Sequence, residues 1–204
     1  EAVGIVLLLF AFVPQFGAEG VWVSVFTAIS AFCNAGFDLF GRFGAYSSLV
    51  PYVNNYYVQA VIMFMIMAGG LGFMVWVELA EYRKKRRLSL HAKVVLQFSA
   101  IFWVGGAVLL ALLEWSNPRT MGGLSVPGKI MAALFQSVST RTAGMNTIDL
   151  AACSPISKLL MSVLQFIGAA PGSTGGGVKV TTFAVLILTI RSVAQGRDDC
   201  VIGG

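Results

Sequence analysis

The sequence predicts an all-α integral membrane protein made of helix, pore-loop, helix repeats around a central ion pore. Three observations carry that expectation. The 204 residues are 57% hydrophobic and 11% charged, whereas a soluble domain carries roughly 25% charge. Residues 58–77 ("VQAVIMFMIMAGGLGFMVWV") and 94–113 ("VVLQFSAIFWVGGAVLLALL") hold no charge, and each has the roughly 20 apolar residues that a spanning helix needs. Two further segments, 25–41 ("VFTAISAFCNAGFDLFG") and 134–150 ("LFQSVSTRTAGMNTIDL"), are versions of one another.

Taken in order, the first apolar run, 4–13, is too short to span. It follows Glu1 rather than a basic stretch and has no initiator Met, so a signal peptide is not expected. The two similar segments come next in the argument. Both open with Phe, two residues, Ile or Val, and Ser (Phe26, Ile29, Ser30; Phe135, Val138, Ser139), and both reach Ala-Gly before a large apolar residue. A short apolar helix ending this way cannot cross a bilayer, but it can dip in and return. Irregular backbone at that depth is tolerated only inside protein or against a watery cavity, so two such units point to a pore. In the first unit the helix after the loop is expected to run unbroken over 57–82.

Residues 83–93 form a basic linker with Arg83, Lys84, Lys85, Arg86, Arg87 and Lys93. Lys and Arg in short loops mark the cytoplasmic side. Its place between two spanning helices favours topology over nucleic-acid binding, and no nucleic acid is expected as a partner. The net charge of +5 has the same origin and implies affinity for anionic lipid head groups. His91, the single histidine, lies in this linker, away from any intramembrane chemistry. Cys33, Cys153 and Cys200 form neither a disulfide framework nor a zinc pattern.

The second unit is expected to have an outer helix over 94–114, a pore loop over 130–148 and an inner helix over 156–191. That inner helix is interrupted by "AAPGSTGGGVKVTTF" (169–183). Pro171, Gly172, Gly175, Gly176 and Gly177 are poor helix formers, and their unsatisfied backbone is viable only facing protein or water. A loop over 168–179, just below the pore loops, is a gate candidate comprising Gly172, Ser173, Thr174, Gly175, Gly176, Gly177 and Lys179. An ammonium exposed to lipid costs at least ~2.5 kcal/mol, so Lys179 should face a cavity or a partner. A phosphate-binding loop is excluded because Val178 separates Gly177 from Lys179 and no strand precedes the segment. The alternative of an intramembrane hydrolase, with Ser173 as nucleophile and Lys179 as base, leaves the paired pore loops unexplained. Residues 193–204 read as a second cytoplasmic linker leading toward a further helix, so the chain is expected to be part of a longer protein.

The segments "AISAFCNAGFDLFG", "QSVSTRTAGMNTIDL" and "FIGAAPGSTGGGVKVTTFAVL" resemble the second pore loop, third pore loop and broken third-repeat helix of the Trk/Ktr/HKT superfamily of potassium uptake proteins. The KtrB-type branch, also named sodium-transporting ATPase subunit J, is the nearest in pattern. The resemblance implies four repeats around one pore, of which this chain holds the second (1–82, pore loop 25–41) and the third (94–192). It implies a transporter rather than an enzyme, with potassium as the transported ion and sodium as a further coupling or activating ion. The filter would be the backbone carbonyls of Asn34, Ala35 and Gly36 and of Thr142, Ala143 and Gly144, the glycines turning carbonyls toward a dehydrated cation. The short helices over 25–32 and 130–139 would aim their negative ends at the ion. Cys33 stands where the family commonly has Asn, and Met145 where Phe is usual. Arg141, beside the filter, is expected to pair with Asp149 or Asp38. The resemblance also implies a multi-pass protein of the plasma membrane, a homodimer, and a cytoplasmic nucleotide-binding regulatory subunit of the KtrA or TrkA kind that the basic linker could contact.

Overall fold

The computed structural model describes residues 1–195, and over these the chain is all-α apart from one isolated bridge between Ile167 and Val178. Most of the 193–204 linker, with Cys200, lies outside the described residues. The first half comprises α1 (Ala2–Phe16), α2 (Glu19–Phe32), α3 (Tyr56–Gly70) and α4 (Phe73–Lys85), with two short 3-10 turns between α2 and α3. The second comprises α5 (Leu90–Glu114), α6 (Val126–Ser139), α7 (Pro155–Phe166) and α8 (Val180–Ala194). Helix α1 packs on α2 as α5 packs on α6, and α3 lies against both α2 and α6, joining the halves.

Side-chain caps set several helix starts. Asn55, Ser89, Ser125 and Ser154 each accept a hydrogen bond from the N–H three residues on, at the starts of α3, α5, α6 and α7. Pro127 and Pro155 sit in the first turns of α6 and α7, where a missing N–H has no cost. These caps lengthen two expected elements. Helix α5 begins at Leu90 rather than 94 because Ser89 caps it, and α6 at Val126 rather than 130 because Ser125 does. The basic linker expected over 83–93 accordingly shrinks to 86–89, since α4 runs to Lys85 and ends where Arg86 turns left-handed at φ 51°. The first short helix, expected over 25–32, starts at Glu19 as α2, alongside α1, where a Cβ on Gly20 would stand 2.5 Å from the Phe12 carbonyl oxygen.

The inner helix expected to be continuous over 57–82 is broken. Helices α3 and α4 meet at 99°. Gly72 adopts φ +85°, and a Cβ there would stand 2.5 Å from the Pro171 carbonyl oxygen, so the turn is made for the approach of the glycine-rich loop. Both inner helices are therefore interrupted, at places that touch.

Among the described residues α5 alone is long and apolar enough to cross a membrane by itself, and α3 with α4 passes the same test as a bent pair. Outward-facing Ile101, Val104 and Leu112 on α5 are 59%, 59% and 74% exposed, a surface suited to hydrocarbon. The main core gathers Phe12, Phe40 and Tyr52 at ring separations of 5.3 to 5.6 Å. Phe135, Val138 and Met145 of the second half complete it, so both of the similar loop segments stand on one apolar foundation.

Candidate functional site: paired loops over a glycine-rich segment

The two expected filter strips share a backbone pattern. Asn34 and Thr142 are left-handed at φ 49° and 73°, Gly36 and Gly144 at φ 76° and 82°, and the intervening Ala35 and Ala143 are not. Non-glycine residues rarely adopt this region, and two at matched positions mean the surroundings enforce it. The strips also meet: a Cβ on Gly36 would lie 2.6 Å from the Ala143 carbonyl oxygen and 3.3 Å from the Gly144 Cα. Gly36 has no room for a side chain, and both glycines hold a left-handed φ that a side chain would strain.

What holds each strip is a serine in the last turn of its pore helix. Ser30 donates its hydroxyl to the Phe37 carbonyl at 2.6 Å, and Ser139 does the same to the Met145 carbonyl. The Ser30 and Ser139 carbonyls in turn accept from the Ala35 and Ala143 N–H groups, each at 2.9 Å. Sequence reading had aligned these serines as part of the repeat without giving them a task. Their hydroxyls clamp the residue after the glycine, seven residues on in the first unit and six in the second, and the shared Phe-to-Ser spacing is the signal in the sequence.

Arg141 is 5% exposed and pairs with neither Asp149 nor Asp38, contrary to expectation. Its guanidinium donates to the Gly168 carbonyl at 2.5 Å and lies over the rings of Phe102 and Trp103, 5.4 and 5.9 Å from their centroids. The aspartates are occupied locally: Asp38 accepts from the Phe40 N–H and Asp149 from the Ala151 N–H, each at 2.9 Å. The physical reason is geometric. Arg141 points behind α6 toward the glycine-rich segment, while both aspartates line a hollow of about 460 Å³ beside Gly144.

The glycine-rich segment is a closed loop between α7 and α8. Its neck is pinched by the Gly168 N–H to Val178 carbonyl bond at 2.9 Å and the Val178 N–H to Phe166 carbonyl bond at 2.9 Å. The expected gate residues are distributed along it with different partners. The Thr174 hydroxyl donates to the Phe32 carbonyl at 2.8 Å and accepts from the Asn34 amide at 2.9 Å. The Gly176 N–H donates to the Thr142 hydroxyl at 3.0 Å. A Cβ on Gly175 would come within 2.4 Å of the Ala169 Cβ and 2.9 Å of the Thr142 hydroxyl oxygen. Each expected filter strip thus has one side chain, Asn34 or Thr142, reaching to this loop.

On its other side the loop is sewn to the α3–α4 break. Ala170 and Thr174 donate backbone N–H groups to the Gly70 and Gly69 carbonyls at 3.0 and 3.3 Å, and Phe73 donates to the Gly172 carbonyl at 3.1 Å. Carbonyls freed at the end of α3 are in this way satisfied inside the protein. Lys179 folds back on the loop, donating to the Gly175 carbonyl at 2.7 Å, and Ser173 donates to the Ala170 carbonyl at 2.5 Å. Serine and lysine are engaged by separate carbonyls, so the nucleophile and base pairing of the hydrolase alternative is not made.

A further buried group escaped the sequence reading. Glu114, fully buried at the end of α5, accepts from Asn117 and Thr120 at 2.7 Å, from the Ser154 N–H at 2.9 Å and from the Ser157 hydroxyl at 2.5 Å. It ties the outer helix to the start of α7, where the helix dipole favours a carboxylate.

Comparison with known proteins places this arrangement. A family model described as TrkH, cation transport protein, matches residues 1–200. The chain is 41% identical over 205 residues to the Ktr system potassium uptake protein B of Vibrio alginolyticus, covering 99% of this chain and 44% of that protein. It is 37% identical over 198 residues to the potassium/sodium uptake protein NtpJ of Enterococcus hirae, covering 97% of this chain and 43% of that one. The crystal structure of the potassium transporter TrkH from Vibrio parahaemolyticus superposes with a TM-score of 0.71 at 21% identity, over 97% of this chain and 42% of that chain. The chain spans less than half the length of these relatives.

Proposed function

Because the chain belongs to the TrkH family of cation transport proteins, we propose that it supplies two of four helix, pore-loop, helix repeats of a potassium uptake protein. In this reading the carbonyls of Asn34, Ala35 and Gly36 and of Thr142, Ala143 and Gly144 replace the hydration shell of the ion. The observation that supports it is the matched pair of strips, left-handed at the same two positions and in contact through Gly36 and Gly144. The pore helices α2 and α6 end at the strips, so their C-terminal dipoles favour a cation there without a fixed carboxylate.

The loop over 168–179 is the gate. It lies against both strips through Thr174 and Gly176, each by hydrogen bonds that are individually modest, so the tip of the loop can move aside. Sodium serves as coupling or activating ion, in keeping with the name of the Enterococcus hirae relative, which carries both ions. The protein works as a homodimer in the plasma membrane with the basic segment on the cytoplasmic side, where a nucleotide-binding regulatory subunit docks.

Rubidium uptake in potassium-uptake-deficient bacteria tests the reading, comparing the full-length protein with its Gly144→Ser variant at matched membrane levels. Uptake that falls, or loses preference over sodium, is the expected result. Uptake indifferent to Gly144→Ser would reduce Ala143-Gly144 to a turn.

A further inference from the structure

Between the start of α5 and the length of α8 lies a groove of about 230 Å³ that the pore does not use. Leu90, His91 and Val94 form one wall; Ala184, Val185 and Leu188 form the other. Its lining is almost wholly apolar, with polar atoms only from His91 and Thr181. The two helices run antiparallel here, since Phe102, farther along α5, meets Phe183 in the first turn of α8, while the groove joins the start of α5 to residues as far along α8 as Leu188.

Two features say what fits. The groove continues an apolar stripe: Val94, Ile101, Val108 and Leu112 recur on one face of α5, and the last three are 59%, 53% and 74% exposed. Its other end is basic. Arg86 and Arg87 lie in the short segment before α5, separated from its first residue Leu90 by Leu88 and Ser89, and Arg191 follows Leu188 by three residues on the same side of α8. Hydrocarbon at one end and cations at the other match a molecule with an acyl chain and an anionic phosphate.

We infer that this groove is a binding site for an anionic phospholipid, its acyl chain lying between α5 and α8 and its head group held by Arg86, Arg87, Arg191 and His91. Basic pockets between helices at the cytoplasmic face suit such head groups, each nearby Lys or Arg adding to the attraction. A folded protein partner would meet the charges but leave the narrow apolar channel without an occupant. The site rests on the membrane orientation proposed above, and not on which residues form the filter.

Native mass spectrometry of the full-length protein, released from nanodiscs of equal phosphatidylglycerol and phosphatidylcholine, reads occupancy without measuring ion flux. The wild type should retain phosphatidylglycerol in preference. Arg87→Gln/Arg191→Gln should retain at least fivefold less, Arg87→Lys/Arg191→Lys close to the wild-type amount, and Leu188→Trp, which fills the groove and keeps the charges, should also lose it. Equal retention by wild type, Arg87→Gln/Arg191→Gln and Leu188→Trp overturns the site. So does unchanged retention in an Arg87→Gln/Arg191→Gln protein that has lost its regulatory subunit, which would assign the charges to protein docking. Altered rubidium uptake with normal lipid retention in Gly144→Ser would leave this site standing on its own.

Discussion

The Asn34 amide donates to the Thr174 hydroxyl at 2.9 Å, joining residues 140 positions apart and tying a pore strip to the loop beneath it. The same hydroxyl donates onward to the Phe32 carbonyl at 2.8 Å, so one threonine holds the loop against the end of α2.

Thr174→Val keeps the shape and removes both bonds. At about 1 kcal/mol per hydrogen bond, the closed loop loses about 2 kcal/mol relative to the open one. Rubidium flux into proteoliposomes should rise about tenfold or more, and deletion of 172–177 should raise it further. Flux equal to wild type in well-inserted Thr174→Val would remove the loop from gating.

Gly36→Ala combines a left-handed φ of 76° with a Cβ 2.6 Å from the Ala143 carbonyl oxygen. Strain of this kind is on the order of 1–3 kcal/mol, and it falls on both strips at once. The expected outcome is uptake reduced more than tenfold with discrimination between potassium and sodium lost, measured by competition of sodium against rubidium.

Arg141→Gln leaves the Gly168 carbonyl with a poorer donor and removes a cation from the rings of Phe102 and Trp103. A hydrogen bond to a charged group contributes about 1.5–3 kcal/mol, so the melting temperature in detergent should fall. Exchanging charges in Arg141→Asp/Asp149→Arg should not restore it. Recovery in the exchanged protein would mean that the two side chains do pair.

Cys153, buried in the turn before α7, has its thiol pushed up to about 11, first by burial and then by the neighbouring Glu114 carboxylate. A raised pKa keeps the thiol neutral, and the thiolate is the reactive form. Maleimide labelling at pH 7 should therefore be slow and should climb about tenfold per pH unit to beyond pH 10 without a plateau. Glu114→Gln should speed it and also lower thermal stability, because four donors lose a charged acceptor.

The interruption between α7 and α8 was legible in the sequence because Pro171 and its run of glycines break any helix locally. The interruption at Gly72 was not. "AGGLG" within an apolar run reads as a spanning helix, and the break exists because Gly69 and Gly70 offer carbonyls to a loop a hundred residues away. Arg141 failed in the same way: its charge announced a partner, but that partner is the Gly168 carbonyl, and a backbone acceptor has no signature in residue type. The pairing of the two strips was legible because Ala-Gly recurs after matched serines. Their left-handed Asn34 and Thr142 were not, being imposed by the serine clamps and by the loop below.

The seam between the α3–α4 break and the glycine-rich loop is made by main-chain groups of Gly69, Gly70, Ala170, Gly172, Thr174 and Phe73. Main-chain contacts do not depend on which side chain stands at a position, but they do depend on counting. The two segments therefore share a common ruler: either accepts many exchanges of residue identity where space allows, while a single residue inserted in one puts every rung out of step with the other.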